Sequence, residues 1–348
     1  MDALKKSWKW LRWVVALGAL AYLFYSNRVG LKNLSERPIK WQYLIGAVAL
    51  CGCATLITFS RWWLLVKGLN FPFGLRDAMR LGFIGLLFNY VGPGSVGGDL
   101  FKAVFLAKEQ TSRRAAAVAT ILLDRVLGLL ALFMVGAATM LPNLIRNGIP
   151  EKRLDQIISA SLLGGSLAGV IGLVLMMYPA FTRSRLVSWL THLPLVGKMA
   201  GELIHDVELY QSQPRIIVSS MLLSIVGHAG LIGGFYCGAL AVVEWAPTLA
   251  QHFFFMPIAE LFGVLVPVPG GIGALEGALQ EFYKQFAAGV TEQQAAEAGF
   301  AAALVFRVVS VSIASIGGIY YLLARTEVQA AMQAAEHLED PAVPQSTT

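Results

Sequence analysis

Charge is what this chain has least of. Asp, Glu, Lys and Arg make up 14% of its 348 residues, where a soluble domain carries roughly 25%. The shortfall, beside 56% hydrophobic residues and several long uncharged runs, excludes a soluble globular domain and marks an integral membrane protein. Cysteine is also sparse. Cys51, Cys53 and Cys237 all lie within apolar runs without a CxxC or a mixed His/Cys set, so they read as small packing residues rather than a disulfide framework or a metal centre. A GxxxxGKS/T phosphate loop, a Ser/His pair and a soluble basic domain are missing as well. Their absence removes nucleotide hydrolysis, acyl-enzyme chemistry and nucleic-acid binding. No catalytic residues, no metal and no cofactor are expected.

The charge that is present sits in particular places. The net charge of +6 comes largely from basic clusters beside apolar segments, such as Lys5, Lys6, Lys9 and Arg12, then Lys102, Lys108, Arg113 and Arg114. This is the pattern of juxtamembrane loops facing anionic headgroups. The basic start followed by an apolar stretch resembles a signal peptide, but it ends YSNRVG with no small-residue cleavage site, which predicts an uncleaved first span. Spans are read over 13–26, 41–60 (extended by Trp62 and Trp63), 115–141, 157–181, 216–243 and 299–324. An amphipathic segment over 183–213 reads as lying along the interface. Trp8, Trp10, Trp13, Trp62, Trp63, Trp189 and Trp245 stand near span ends as interface anchors. The membrane unit covers residues 1–325. The polar tail over 326–348 reads as a short helix followed by disorder.

Two apolar runs, 81–91 and 253–266, fall short of the ~20 residues a spanning helix needs. They belong to two stretches that look like copies of each other. The first reads LLFNYVGPGSVGGDLFKA (86–103), followed by LLDRVLGLL (122–130). The second reads ELFGVLVPVPGGIGALEGAL (260–279), followed by LVFRVVSVS (304–312). Each has an apolar run, a Pro/Gly break, an acid just past the break and an Arg within the next long apolar helix. The breaks hold Gly92, Pro93, Gly94, Gly97 and Gly98 in one copy, and Pro267, Pro269, Gly270, Gly271 and Gly273 in the other. Proline ends a helix, glycine permits positive φ and close backbone approach, and the amides freed at the next helix start can meet an anion. Tight helix packing through small residues is the alternative use of the same glycines. Broken helices at membrane depth are tolerated only where protein or a hydrated path surrounds them.

With the N-terminus in the cytoplasm and both hairpins read as non-crossing, Lys and Arg favour the cytoplasmic side and the C-terminus is cytoplasmic too. The two hairpins then enter from opposite faces and form an inverted repeat. The fold class expected is therefore all-α, a polytopic transmembrane bundle with inverted repeats and two re-entrant helical hairpins.

Asp99, Asp124, Arg125 and Arg307 fall at membrane depth, with Glu260 and Glu276 flanking the second break. An ionised side chain there costs at least ~2.5–3.5 kcal/mol. One use for them is internal pairing, Asp99 with Arg125 and Glu276 with Arg307, that ties helices together. The other is a polar path that meets a lipid headgroup. Arginine suits a phosphodiester because its planar fork stays charged and donates two parallel hydrogen bonds. Asn89 and Tyr90, before the first break, either hydrogen-bond a headgroup or cap exposed carbonyls. His228, alone in a Gly-rich span, reads as a satisfied packing residue. A remote enzymatic alternative is an intramembrane aspartyl protease using Asp99 and Asp124, but Val96 stands where its Gly-x-Gly-Asp motif requires glycine.

NYVGPGSVGGD with LLDRVLG, and then PVPGGIGALEGAL, resemble the flippase-like family that includes the membrane domain of bacterial lysylphosphatidylglycerol synthase/flippase proteins, also grouped as an uncharacterised family of polytopic membrane proteins. The resemblance covers roughly residues 10–325. It implies lipid translocation between leaflets and carries over to Asn89, Pro93, Gly94, Gly98, Asp99, Asp124, Arg125, Pro269, Gly270, Gly271, Glu276 and Arg307. Family members with an added cytoplasmic aminoacyltransferase attach lysine to phosphatidylglycerol. No such segment follows residue 325 here, so the synthase activity is not expected. Relatives formed by the membrane domain alone are linked to other lipids, hopanoid and polyprenyl-linked ones among them.

The function expected is flipping or export of a lipid with an anionic or phosphodiester headgroup across the bacterial inner membrane, through a central polar cavity. The alternative is a non-transporting membrane partner of a lipid- or glycan-modifying enzyme. The partners expected are a membrane lipid, and a lipid-modifying enzyme or a second copy of the chain; nucleic acid is not one.

Overall fold

A computed structural model of the chain describes residues 38–91, 97–109, 113–184, 207–266 and 268–323, together with Ala21 and Tyr25. Most of the first span, Gly92, Pro93, Gly94, Pro267, most of the expected interface segment and the tail from 326 lie outside the described residues.

The described chain is helical, without strands. Its main helices are α1 (Trp41–Gly68), α2 (Leu75–Val91), α3 (Gly97–Glu109), α4 (Arg114–Asn147), α5 (Arg153–Met177), α6 (Pro214–Val242), α7 (Leu249–Leu265), α8 (Ala274–Gln285) and α9 (Glu292–Leu323). Among the described residues, five of these (α1, α4, α5, α6 and α9) are long and apolar enough to cross a membrane. The chain is thus a polytopic bundle.

Several helices extend past their expected limits for local reasons. The sequence writes Thr-x-x-Gln twice, at 248–251 and 291–294. In each case the threonine hydroxyl accepts from the glutamine backbone N–H while the glutamine side chain accepts from the threonine N–H. This reciprocal cap satisfies two of the free amides of a first turn. It starts α7 and α9 about one and two turns ahead of residues 253 and 299, where hydrophobicity begins. At the other end, α4 runs to Asn147 and stops at Gly148, whose φ of 75° leaves the helical region.

The spine of the bundle is an antiparallel pair, α1 against α6. Cys51 lies by Gly234, Ala54 by Gly230, and Gly68 by Ile216. Gly230, Gly234 and Gly238 recur every four residues, so one face of α6 lets the α1 backbone close in, as small residues do where lipid supplies no hydrophobic drive between helices. The cysteines are free, and Cys51 is buried in this seam. Helix α4 is the most enclosed of the spanning helices, with 61% of its apolar window buried, against 17% for α5, which lies on its outer side.

Two helical hairpins fill the rest. In the first, α2 and α3 run antiparallel, with Phe88 stacked on Phe101 at 5.1 Å. In the second, α7 and α8 do the same through Phe255 and Phe282 at 5.4 Å. The first limb of each hairpin leans on the long helix that follows the other, α2 on α9 and α7 on α4. A Cβ on Gly98 would fall 2.0 Å from the Gly85 carbonyl oxygen, and one on Gly271 would fall 2.5 Å from that of Gly263. Only glycine lets these two limbs cross so closely.

The α1–α6 seam gives a position-specific expectation. A Cβ on Gly234 would stand 2.5 Å from Cys51 Sγ, whereas one on Gly230 meets nothing nearer than 3.6 Å. Gly234→Ala should lower stability by ~1–3 kcal/mol through overpacking, with Gly230→Ala close to neutral. Thermal melting of the two purified variants in detergent compares them directly.

Candidate functional site

The site is built at the two hairpin breaks. In the first hairpin, the Gly98 N–H at the start of α3 donates to Asn89 Oδ1 at 2.9 Å, so Asn89 closes the turn that the glycine contact opens. Asp99, the third residue of α3, then projects toward α4. Its carboxylate receives the Arg125 Nε and, 3.1 Å from its other oxygen, the Lys102 Nζ. Lys102 also sits over the Trp62 ring, 5.0 Å from its centre, a cation–π position.

The second hairpin repeats this plan with different side chains. Glu276 is the third residue of α8. Its Oε2 accepts the Gly273 N–H at 2.8 Å, the capping task that Asn89 performs in the first copy. Its Oε1 receives Arg307 through Nε at 2.9 Å and Nη2 at 2.6 Å. The remaining Arg307 amine donates to the Gly270 carbonyl. Gly270 carries a positive φ of 59°, and its open side faces the Tyr90 ring. Tyr90 lies in the last turn of the first limb of the other hairpin, so that limb meets the second break there, beside Arg307.

The halves differ in charge and access. Asp99 is met by two cations, Lys102 and Arg125, and Glu276 by one, Arg307. Arg125 is 44% exposed, while the Arg307 side chain is 17% exposed and Glu276 only 1%.

The remaining site residues lie elsewhere. Asp124, next to Arg125 in sequence, turns the other way and is buried against Arg61 of α1. Arg61 Nε and Nη2 reach its two oxygens at 2.7 and 2.8 Å, and Nη1 donates to Ser224 of α6 at 3.0 Å. Gly128 makes room: a Cβ there would stand 3.1 Å from the guanidinium. Asp124 is therefore a strut joining α1, α4 and α6, outside the Asp99 cluster. Asp99 and Asp124 each belong to their own guanidinium, so the proton-sharing dyad of an aspartyl protease has no counterpart in this arrangement. Glu260 faces His228 of α6 at 3.7 Å, apart from Arg307. His228 is not the satisfied packing residue expected, since its Nδ1 is buried without a hydrogen-bond partner among the described residues. Asn89 serves an N–H, where its expected capping role was toward carbonyls.

Three residues were missed in the sequence: Arg61, Lys102 as a ligand of Asp99, and His228 as a polar partner. The signal for Arg61 was present. It is an Arg within a continuous apolar helix, with an acid inside the next long apolar helix, α4, and an intramembrane charge implies a partner. The second span is read over 41–60 and extended by Trp62 and Trp63, with no role given to Arg61.

With this geometry in place, comparison with known proteins gives a consistent answer. Residues 9–318 match the family described as Lysylphosphatidylglycerol synthase TM region. The chain belongs to this family. A relative named UPF0104 membrane protein, from Methanothermobacter thermautotrophicus, is 22% identical over 326 residues, which cover 88% of this chain and 91% of the relative. The match is to a membrane region, in keeping with a chain whose ionisable groups pair across helices.

The Arg61–Asp124 strut yields a distinctive stability pattern. Breaking a buried pair by removing one partner costs ~3–5 kcal/mol, whereas an apolar pair of similar volume is often tolerated. Arg61→Met and Asp124→Leu should each lower the melting temperature sharply, and the double variant should recover most of the loss.

Proposed function

We propose that this protein moves a lipid with an anionic or phosphodiester headgroup between the two leaflets of its membrane. The headgroup passes along the polar strip from Asp99 and Arg125 to Glu276 and Arg307, through a central cavity between the hairpins, while the acyl chains stay in lipid. In this reading the two hairpins are re-entrant and the halves α1–α4 and α6–α9 are inverted repeats. The antiparallel packing of α1 on α6 supports the inversion. The membrane is the bacterial inner membrane, with both chain ends in the cytoplasm, as the Lys and Arg distribution favours.

The observation that carries the reading is the acid–arginine cluster repeated at the two hairpins, Asp99 with Arg125 and Glu276 with Arg307. Arg125 is nearly half exposed, although Asp99 already has Lys102 for a counter-charge. An arginine at membrane depth is costly to place there, and a half-exposed guanidinium can reach a passing phosphate, whose oxygens accept its charge-assisted hydrogen bonds. The contact of Tyr90 and Arg307 with Gly270 brings the first hairpin's leading limb to the second arginine.

Reconstitution into vesicles with a fluorescent phosphatidylglycerol analogue tests this. A hydrogen bond to a charged group is worth ~1.5–3 kcal/mol, so Arg125→Ala and Arg307→Ala should slow exchange about tenfold to a hundredfold. Arg183→Ala, at an exposed pair with Glu208, should leave it unchanged. If the wild type moves no lipid while Arg125→Ala and Arg307→Ala still complement a deletion strain, transport is wrong and a non-transporting partner of a lipid-modifying enzyme takes its place.

A further inference from the structure

Among the described residues, four acids of the hairpins and α4 sit at depth, and three of them hold an arginine. Asp99 has Arg125, Asp124 has Arg61, and Glu276 has Arg307. The fourth, Glu260, has a histidine. Arginine keeps its charge at any physiological pH, so those three pairs are fixed. Histidine is the side chain whose charge changes within that range.

The geometry of the fourth pair is also different. His228 is the fifteenth of the 29 residues of α6, at its middle, and Glu260 is the twelfth of the 17 of α7, more than a turn from either end. Nδ1 and Oε2 are 3.7 Å apart, outside hydrogen-bonding distance. His228 Nδ1 and Glu260 Oε1 are both buried without a hydrogen-bond partner among the described residues. A pair serving only to tie helices would close, as Arg61 does on Asp124 at 2.7 Å. This pair stays apart, with an unsatisfied atom on each side.

The neighbouring elements carry few competitors. On α1, Cys51 lies within electrostatic reach of Glu260, while Arg61 is taken by Asp124 of α4. On α8 and α9, Glu276 and Arg307 hold each other, and Tyr283 of α8 is bonded to His252. On α4, Arg125 is paired with Asp99, and on α5 the acid is Asp155, in the first turn of the helix.

We propose that His228 and Glu260 form a proton-binding site inside the membrane, at the joint between α6 and the second hairpin, and that its occupancy biases the hairpin's position during transport. One proton taken up from water on the imidazole converts a carboxylate beside a neutral ring into an ion pair. Loss of that proton to water leaves a carboxylate at depth with no cation, and α7 shifts to give it hydration or a new partner. Since α7 carries the second break and Glu276's hairpin, the shift is transmitted to Arg307. The coupling half of this inference rests on the transport reading; the proton-binding half stands without it.

Two measurements on the full chain separate the halves. In lipid nanodiscs, nitrogen-15 histidine spectra recorded between about pH 5 and about pH 9, with His228→Gln used for assignment, should show His228 titrating in one step. Glu260→Gln should move that midpoint by about one pH unit or more. A His228 signal that does not titrate, or that titrates identically in Glu260→Gln, overturns the site. In vesicles holding the phosphatidylglycerol analogue, an imposed pH gradient should change the wild-type exchange rate several-fold, and His228→Gln should abolish the response. A wild-type rate indifferent to the gradient overturns the coupling and leaves transport standing. Vesicles that move no lipid at all remove the transport reading and the coupling with it, and the spectra then decide the proton site alone.

Discussion

An ionised side chain in hydrocarbon must find an opposite charge or be driven out, and the arrangement of this bundle follows from that constraint. The acids at depth described above are each paired, and each pair ties one helix to another. Arg61 and Asp124 join α1, α4 and α6. Asp99 and Arg125 fasten the first hairpin to α4, and Glu276 and Arg307 fasten the second to α9. The apolar surface, by contrast, says little about position, because lipid is as good a solvent for leucine as another helix is. Polar pairs and glycine contacts locate the helices; hydrophobicity only keeps them in the membrane.

The two hairpins show how similar geometry arises from unlike residues. The first amide of the return limb is satisfied by Asn89 in one copy and by Glu276 in the other. Each acid stands at the third helical position after its glycine turn. In the first copy the acid is free to hold two cations, because Asn89 does the capping. In the second, Glu276 caps and pairs at once, is almost wholly enclosed, and holds Arg307 down against Gly270. A shared plan thus produces one open guanidinium and one covered one.

Much of this was legible in the sequence, and the exceptions have physical causes. The repeat of break, acid and arginine identified the elements that matter, because intramembrane charge and helix-breaking residues are both rare and costly in lipid. The direction in which a side chain points was not legible. Asp124 and Arg125 are neighbours, yet on a helix adjacent positions point about 100° apart, and the acid went to α1 while the arginine went to α3. Helix starts were misplaced where hydrophobicity alone was followed, and the Thr-x-x-Gln caps at Thr248 and Thr291 carried the better signal. Glu260 was noticed as an acid near a break, but its partner lay 32 residues earlier on a helix already read as plain packing.

The strut between Arg61 and Asp124 also bears on how the molecule is made. The two residues are separated by 63 positions, so α1 emerges from the ribosome well before the carboxylate that will neutralise it has been synthesised. Until α4 follows, the guanidinium has no counter-ion in the bilayer and has to stay in contact with water or with the insertion machinery. Biogenesis therefore cannot proceed helix by helix in independent steps; α1 has to be retained until its anion arrives, and the two settle into lipid together.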